Sequence, residues 1–140
     1  MFTIDESTAF GARIARQLRD EVVIWLTTVS KSGTPAPVPV WFLWTGEQVL
    51  ICSRPDTAKL RNIGSRPRVS VNFNATHSGG DVGVITGDAA IDEKGLTDEE
   101  RTAYNEKYAE PIAGLNMTPE EFHEDYSVLI RITPDRLRGF

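Results

Sequence analysis

Ile51-Cys52-Ser53-Arg54-Pro55-Asp56-Thr57-Ala58-Lys59-Leu60-Arg61-Asn62-Ile63 is the stretch from which the fold can be read. An apolar strand ends at Ser53, and Arg54-Pro55-Asp56-Thr57 breaks it. A short helix follows from Ala58 to about Gly64, with Leu60 and Ile63 on one face. Gly64 or Ser65 stops it, and Pro67 forbids its continuation. Val69-Ser70-Val71-Asn72-Phe73 then alternates as a strand. A helix starting where a strand ends gathers unpaired N–H groups and a partial positive charge at one point. Ser53 and Thr57 add hydroxyls to that point. Lys59 and Arg61 stand early in the helix, where a cation is unfavourable by roughly 0.3–1 kcal/mol; a bound anion reverses that sign. Two readings stay open. One is a cradle for a phosphate, which Asp56 opposes unless it caps the helix and faces away. The other is an ordinary capped helix with solvated basic residues.

Upstream, Ala36 to Trp44 reads as one strand carrying Pro37 and Pro39. Alternate residues aim their N–H groups at the same edge, so two prolines at this spacing delete two successive donors from it. The strand lies at a sheet edge or faces something other than a ladder, such as a ligand. Thr45-Gly46-Glu47 turns it into the strand Gln48 to Ser53, as a hairpin. Val22 to Val29 is apolar or β-branched on both faces and reads as a strand covered on both sides. Before it, Ala9, Phe10, Ile14 and Leu18 make Ser7 to Arg19 an amphipathic helix. Downstream come a loop from Thr76 to Asp81 and a strand from Val82 to Ile91, with Gly83 and Gly87 as bulge or bend sites. Thr97-Asp98-Glu99-Glu100 opens a helix to about Tyr108, and Thr118-Pro119-Glu120-Glu121 one to about Asp125. Ser127 to Thr133 is a strand, with Arg136 to Phe140 as a further one. The sum is a mainly β (α+β) chain: six or seven antiparallel strands in a barrel with short peripheral helices.

A length of 140 residues suits one domain, 1–140, with an ordinary core. A net charge of −5 argues against nucleic acid as a partner. The charge is segregated: Arg54, Lys59, Arg61, Arg66 and Arg68 face only Asp56 in residues 54–68, whereas residues 92–125 are rich in acid. One cysteine, Cys52, excludes an intrachain disulfide and fits a cytoplasmic protein. The chain opens without a basic, then apolar, leader, and its apolar runs are too short to span a bilayer, so no membrane is expected.

Pro37-Val38-Pro39-Val40-Trp41-Phe42 supplies an apolar wall with free backbone polar groups, the surroundings a flat tricyclic ring needs. Trp41 or Trp44 could cover such a ring; Trp25 and Trp44 read better as core or dimer-contact residues. His77 and His123 read as surface residues and Cys52 as a buried strand residue. No nucleophile–histidine–acid order and no metal-ligand spacing is present, so no catalytic side chain and no metal are assigned.

With these pieces in place, the chain resembles the pyridoxamine 5′-phosphate oxidase-like superfamily of FMN-binding split β-barrels. More narrowly, it is similar to the small branch of probable coenzyme F-420 (deazaflavin)-dependent enzymes. "GTPAPVPVWFLW", "ICSRPDTAKLRNIGSRPRVSVNF" and "LIRITPDRLRGF" carry the resemblance. It implies a homodimer with the cofactor at the subunit interface. It places the phosphate near Ser53, Arg54, Thr57, Ala58 and Lys59, with Asn62 in the same motif, and the ring along Pro39, Val40 and Trp41. It implies an oxidoreductase moving hydride between F-420, or alternatively FMN, and a small planar electrophile. A non-catalytic cofactor- or haem-binding protein is the alternative from another class. The ending Arg136-Leu137-Arg138-Gly139 lacks the proline of the vitamin B6 oxidases, which argues against that substrate. Arg61, Arg66 and Arg68 would help to hold the polyglutamate tail of F-420 if they face the cleft.

Overall fold

Pro35, Pro37 and Pro39 decide where the sheet ends. In the computed structural model, which describes residues 2–140, seven strands form one antiparallel sheet in the order β2-β1-β5-β6-β7-β4-β3. The strands are β1 (Val23–Val29), β2 (Pro35–Trp41), β3 (Leu43–Trp44), β4 (Val49–Ser53), β5 (Arg68–Asn72), β6 (Gly83–Asp92) and β7 (Val128–Gly139). The helices are α1 (Ala9–Asp20), α2 (Ala58–Ser65), α3 (Asp98–Lys107), α4 (Ala109–Gly114) and α5 (Pro119–Asp125). β2 is an edge strand, paired to β1 alone, with the three prolines opposite Val29, Thr27 and Trp25. A proline cannot donate, so the ladder to β1 uses Ala36, Val38 and Val40. The free edge along Pro35–Pro39 therefore presents carbonyl oxygens without N–H groups, which also blocks pairing with another strand.

The expected strand from Ala36 to Trp44 is two strands. The chain leaves β1 at Trp41, crosses Phe42 and pairs with β4 as β3, with Leu43 opposite Leu50. The hairpin therefore joins β3, not β2, to β4. The two ends of the sheet are consecutive in sequence, so the sheet curls and its edges part from Phe42 onward. Phe42 is held there by Tyr108, whose hydroxyl accepts the Phe42 N–H at 2.8 Å and lies 2.7 Å from the Val22 carbonyl. Lys107 Nζ donates to the Phe42 carbonyl at 2.9 Å. Tyr108→Phe strands a buried N–H and is expected to cost about 1–3 kcal/mol, read as a lower urea midpoint at unchanged slope.

Inside the curl, Ile24, Leu26, Ile51, Val71, Ile85, Ile130 and Ile132 meet Ile14 and Leu18 of α1 in one buried cluster. β1 is covered on one face only: Val23, Trp25, Thr27 and Val29 are half-buried, and Val22 is 48% exposed. β4 is covered on both, because Leu50 and Leu129 pack beneath Tyr104, Tyr108, Ile112 and Phe122 of the helical segment. α4 was not expected; its Pro111 stands in the first turn, where a missing N–H costs nothing. Both capping boxes form, on Thr97 and Thr118.

One further expectation changes. Arg136 to Phe140 is not a separate strand: β7 runs unbroken, with Pro134 opposite Gly87 and Asp135 as the extra residue of a bulge. A proline is tolerated at a bulge, which explains the apparent break. Gly87 is thus the bulge site anticipated from the sequence.

Arg131 ties the helical segment to the sheet. Its guanidinium takes Glu100 in a two-pronged pair at 2.7 and 2.8 Å and Asp92 at 2.6 Å. Hydrogen bonds from Arg131 hold both carboxyls below their usual values. A lowered folded pKa gives stability that is complete above the unfolded carboxylate range, roughly pH 4, and fades as pH falls through the folded value. The stability gap between wild type and Arg131→Met is expected to be full at pH 7 and to shrink below about pH 4, as urea melts across pH would record.

Candidate functional site

Where the edges of the sheet part, the outer edge of β2 and the end of β4 border a cleft of about 440 Å³. Val23, Val38, Pro39, Val40 and Trp41 line one side, and Cys52, Ser53, Arg54, Thr57 and Lys59 another. Tyr104, Leu115, Phe122 and Tyr126 complete it from the helical segment. Seven of the nine expected site residues therefore meet in one place, from two stretches of chain, Pro39 to Trp41 and Ser53 to Lys59. Ala58 and Asn62 do not line it. Ala58 is exposed on the first turn of α2, and Asn62 Nδ2 donates to Thr28 Oγ1 at 3.0 Å, which fastens α2 to β1.

The polar end of the cleft is built by the start of α2. Thr57, not Asp56, is the N-cap residue, and its side chain makes no capping bond. Asp56 is exposed with φ +61°, a left-handed conformation that Asp tolerates. The N–H groups of Ala58, Lys59 and Leu60 have no partner among the described residues. The hydroxyls are spent on the turn itself: Ser53 Oγ donates to the Arg54 carbonyl at 2.8 Å and lies 3.2 Å from Thr57 Oγ1. Lys59 is half-buried, and burial lowers its pKa. No described carboxylate lies within ion-pair distance of it. Burying a cation without a counter-ion is costly, and a bound anion removes that cost. Arg54 is exposed, with its guanidinium 5.0 Å from the centre of the Tyr126 ring.

The remaining basic residues are engaged elsewhere. Arg61 bonds the Asp56 carbonyl, Arg66 the carbonyls of Ser30 and Lys31, and Arg68 pairs with Asp88 and Asp135. None of the three lines the cleft.

The other end is aromatic. Trp41 stacks on Tyr108 at 4.8 Å and 9°, and on Phe122 at 5.5 Å and 19°. Phe122 stacks on Tyr126 at 4.4 Å and 16°. Tyr104, Phe122 and Tyr126 escaped the sequence reading; the signal that points to them is aromatic residues four apart, Tyr104 with Tyr108 and Phe122 with Tyr126, which share a helix face. His123 is not a surface residue: it is half-buried, packs edge-on against Tyr104 and Phe122, and shares a hydrogen bond with Asn105 at 2.8 Å. His77 is exposed. Cys52 is half-buried and lines the cleft. Among the described residues, no group of three or more His, Cys, Asp or Glu is placed to hold a metal, and no helix is long and apolar enough to cross a membrane.

This architecture is that of known proteins. An F420 reductase superposes with a TM-score of 0.64 at 23% identity, over 86% of this chain and 92% of its own. HutZ, the haem storage protein from Vibrio cholerae, gives 0.68 at 18% identity, over 94% and 95%. A putative pyridoxamine 5′-phosphate oxidase from Listeria innocua gives 0.64 at 23%, over 91% and 94%. At these identities the likeness establishes the fold alone. No curated protein sequence matches the chain. The pyridoxamine 5′-phosphate oxidase family model matches residues 10–140, which is nearly the whole sequence, and the chain therefore belongs to that family.

Proposed function

We propose that the chain is an oxidoreductase that uses coenzyme F-420, holding the cofactor by its phosphate in the cleft beside α2. The observation that carries this is Lys59: a half-buried cation without a counter-ion among the described residues, beside three helix N–H groups likewise unpartnered, in the cleft that the proline edge of β2 borders. A phosphate-bearing, ring-shaped cofactor fits these residues. The N–H groups of Ala58, Lys59 and Leu60 and the ammonium of Lys59 would hold the phosphate. The carbonyl edge of β2 at Pro39 offers an acceptor to a ring N–H. Val38, Val40 and Trp41 give the ring an apolar flank and keep water from it. When bound, the cofactor would supply the hydride, and the protein supplies orientation. The molecule reduced would be a small planar electrophile.

A second copy of the chain would complete the site, since the outer face of β1, formed by Val23, Trp25, Thr27 and Val29, is left half-covered. A monomer in sedimentation at micromolar concentration would contradict that assembly. FMN is the second reading. It is favoured by Arg61, Arg66 and Arg68 standing outside the cleft, so that beyond Lys59 and the exposed Arg54 no cation there greets a polyanionic tail.

Titration with F-420, FMN and haem, followed by absorbance, separates the readings. F-420 bound tightly, and its reduced form oxidised by a test enone or quinone, is the expected result. Tight FMN binding without F-420 binding overturns the choice of cofactor, and tight haem binding without turnover overturns the oxidoreductase.

A further inference from the structure

Arg54 follows Ser53, the last residue of β4, and the phosphate cradle makes no use of it. The chain around it is fixed. Pro55 keeps the residue before it out of the helical region, and Ser53 Oγ donates to the Arg54 carbonyl at 2.8 Å. The side chain lines the cleft and is exposed. Its guanidinium carbon stands 5.0 Å from the centre of the Tyr126 ring, within cation–π range. Hydrogen bonding with Tyr126 and, more weakly, the charge of Asp125 raise its pKa. No described carboxylate, Asp125 included, lies within ion-pair distance of it. An exposed guanidinium keeps N–H groups for a ligand, and its planar fork matches a carboxylate.

The surroundings of Arg54 differ from those of Lys59. Lys59 stands on the first turn of α2, beside free N–H groups. Arg54 is turned to the helical segment, where Phe122 lies near-parallel to Trp41 at 19° and to Tyr126 at 16°. A flat conjugated frame can lie along such a wall. Leu115 at the same end is 47% exposed, apolar surface that a ligand would cover. The cleft therefore carries one cation at its polar end and another at its aromatic end. No carboxylate lines it among the described residues, so nothing there repels an anion.

We propose that Arg54, held against Tyr126, binds the carboxylate of a flat conjugated acid whose carbon frame lies on the aromatic wall of the cleft. The proposal rests on the reading of this cleft as the place where cofactor and substrate meet, and it names the substrate class: conjugated carboxylates in preference to neutral molecules of the same shape. Arg54 binds and orients the acid and does not react.

Calorimetric titration of the full chain at low salt uses two probes of one shape: cinnamate, a flat conjugated acid, and cinnamamide, its uncharged amide. Arg54→Gln is expected to weaken cinnamate binding roughly three- to tenfold, the worth of a charge-assisted pair discounted for exposure. Cinnamamide is expected to bind wild type and Arg54→Gln equally. Arg54→Lys, which keeps the charge without the fork, is expected to recover part of the loss, and Lys59→Ala to leave cinnamate binding unchanged. Equal cinnamate affinities in wild type and Arg54→Gln, no cinnamate binding by wild type, or an equal loss of both probes each overturn the proposal. A loss in Lys59→Ala in place of Arg54→Gln moves the carboxylate to the phosphate cradle and overturns it too. So does an Arg54→Gln variant that binds F-420 or FMN more weakly and cinnamate as before, since Arg54 would then serve the cofactor. A protein that binds neither F-420 nor FMN yet shows the cinnamate difference loses the cofactor reading alone. One that binds a cofactor but shows no such difference loses this proposal alone.

Discussion

Replacing Lys59 by alanine is expected to weaken binding of the phosphate-bearing cofactor about tenfold to a hundredfold while leaving the fold within about 0.5 kcal/mol of wild type. The two halves of the expectation have one cause. In the free protein Lys59 is half-buried and pairs with no carboxylate among the described residues, so its removal breaks no ion pair there and relieves a desolvation cost. In the complex it would meet a phosphate, and a hydrogen bond to a charged group contributes roughly 1.5–3 kcal/mol. The pH dependence has a definite sign. Burial lowers the Lys59 pKa, and a phosphate favours its charged form. Affinity should therefore fall on the alkaline side as the free protein loses that proton, earlier than for an ordinary lysine. Titration of wild type and variant across pH, with urea melts of both, checks all three statements. Unchanged affinity in a well-folded variant would remove Lys59 from the cradle.

A large effect on stability is expected at Gly87, with a loss of about 3 kcal/mol or more for Gly87→Ala. A methyl group there would run into the Thr133 carbonyl and come within 2.9 Å of Pro134 Cα. Both are backbone atoms of the β7 bulge, and neither can swing aside. β6 and β7 share ten paired positions, from Gly83 with Gly139 to Asp92 with Leu129, so displacing one strand at its bulge disturbs the longest ladder of the sheet. Gly83→Ala is the comparison: its methyl would meet Cδ1 of Ile14, the end of a flexible side chain. A smaller loss is expected there. Urea denaturation of the two variants reads the difference, and equal losses would mean that the bulge yields as readily as the Ile14 side chain does.

What the sequence discloses here depends on the range over which each signal acts. Pro37 and Pro39 mark an edge strand because a missing N–H is a property of the residue itself, and β2 is an edge. The break, the helix start and Pro67 are equally local, and α2 lies within two residues of its expected bounds. The identity of the cap is not legible in the sequence: Asp and Thr both cap helices, and only the backbone assigns the role to Thr57 and turns Asp56 into a left-handed residue. The division of the strand at Phe42 is invisible locally, because the Tyr108 hydroxyl that holds Phe42 lies 66 residues away. The aromatic end of the cleft was missed for a related reason. α3 buries a single residue, Tyr104, so its sequence reads as a solvated acidic helix, although that one side chain reaches the site.

The central claim is that the strand-to-helix turn ending at Lys59 recognises a phosphate. The most direct test compares each cofactor with its phosphate-free form on the wild-type protein: FMN against riboflavin, and F-420 against the bare deazaflavin ribityl compound. The account predicts that the phosphate-bearing member of the pair that binds is held at least about tenfold more tightly. It also predicts that Lys59→Ala narrows that gap. Equal affinity for the two members of the pair, with and without Lys59, would contradict it.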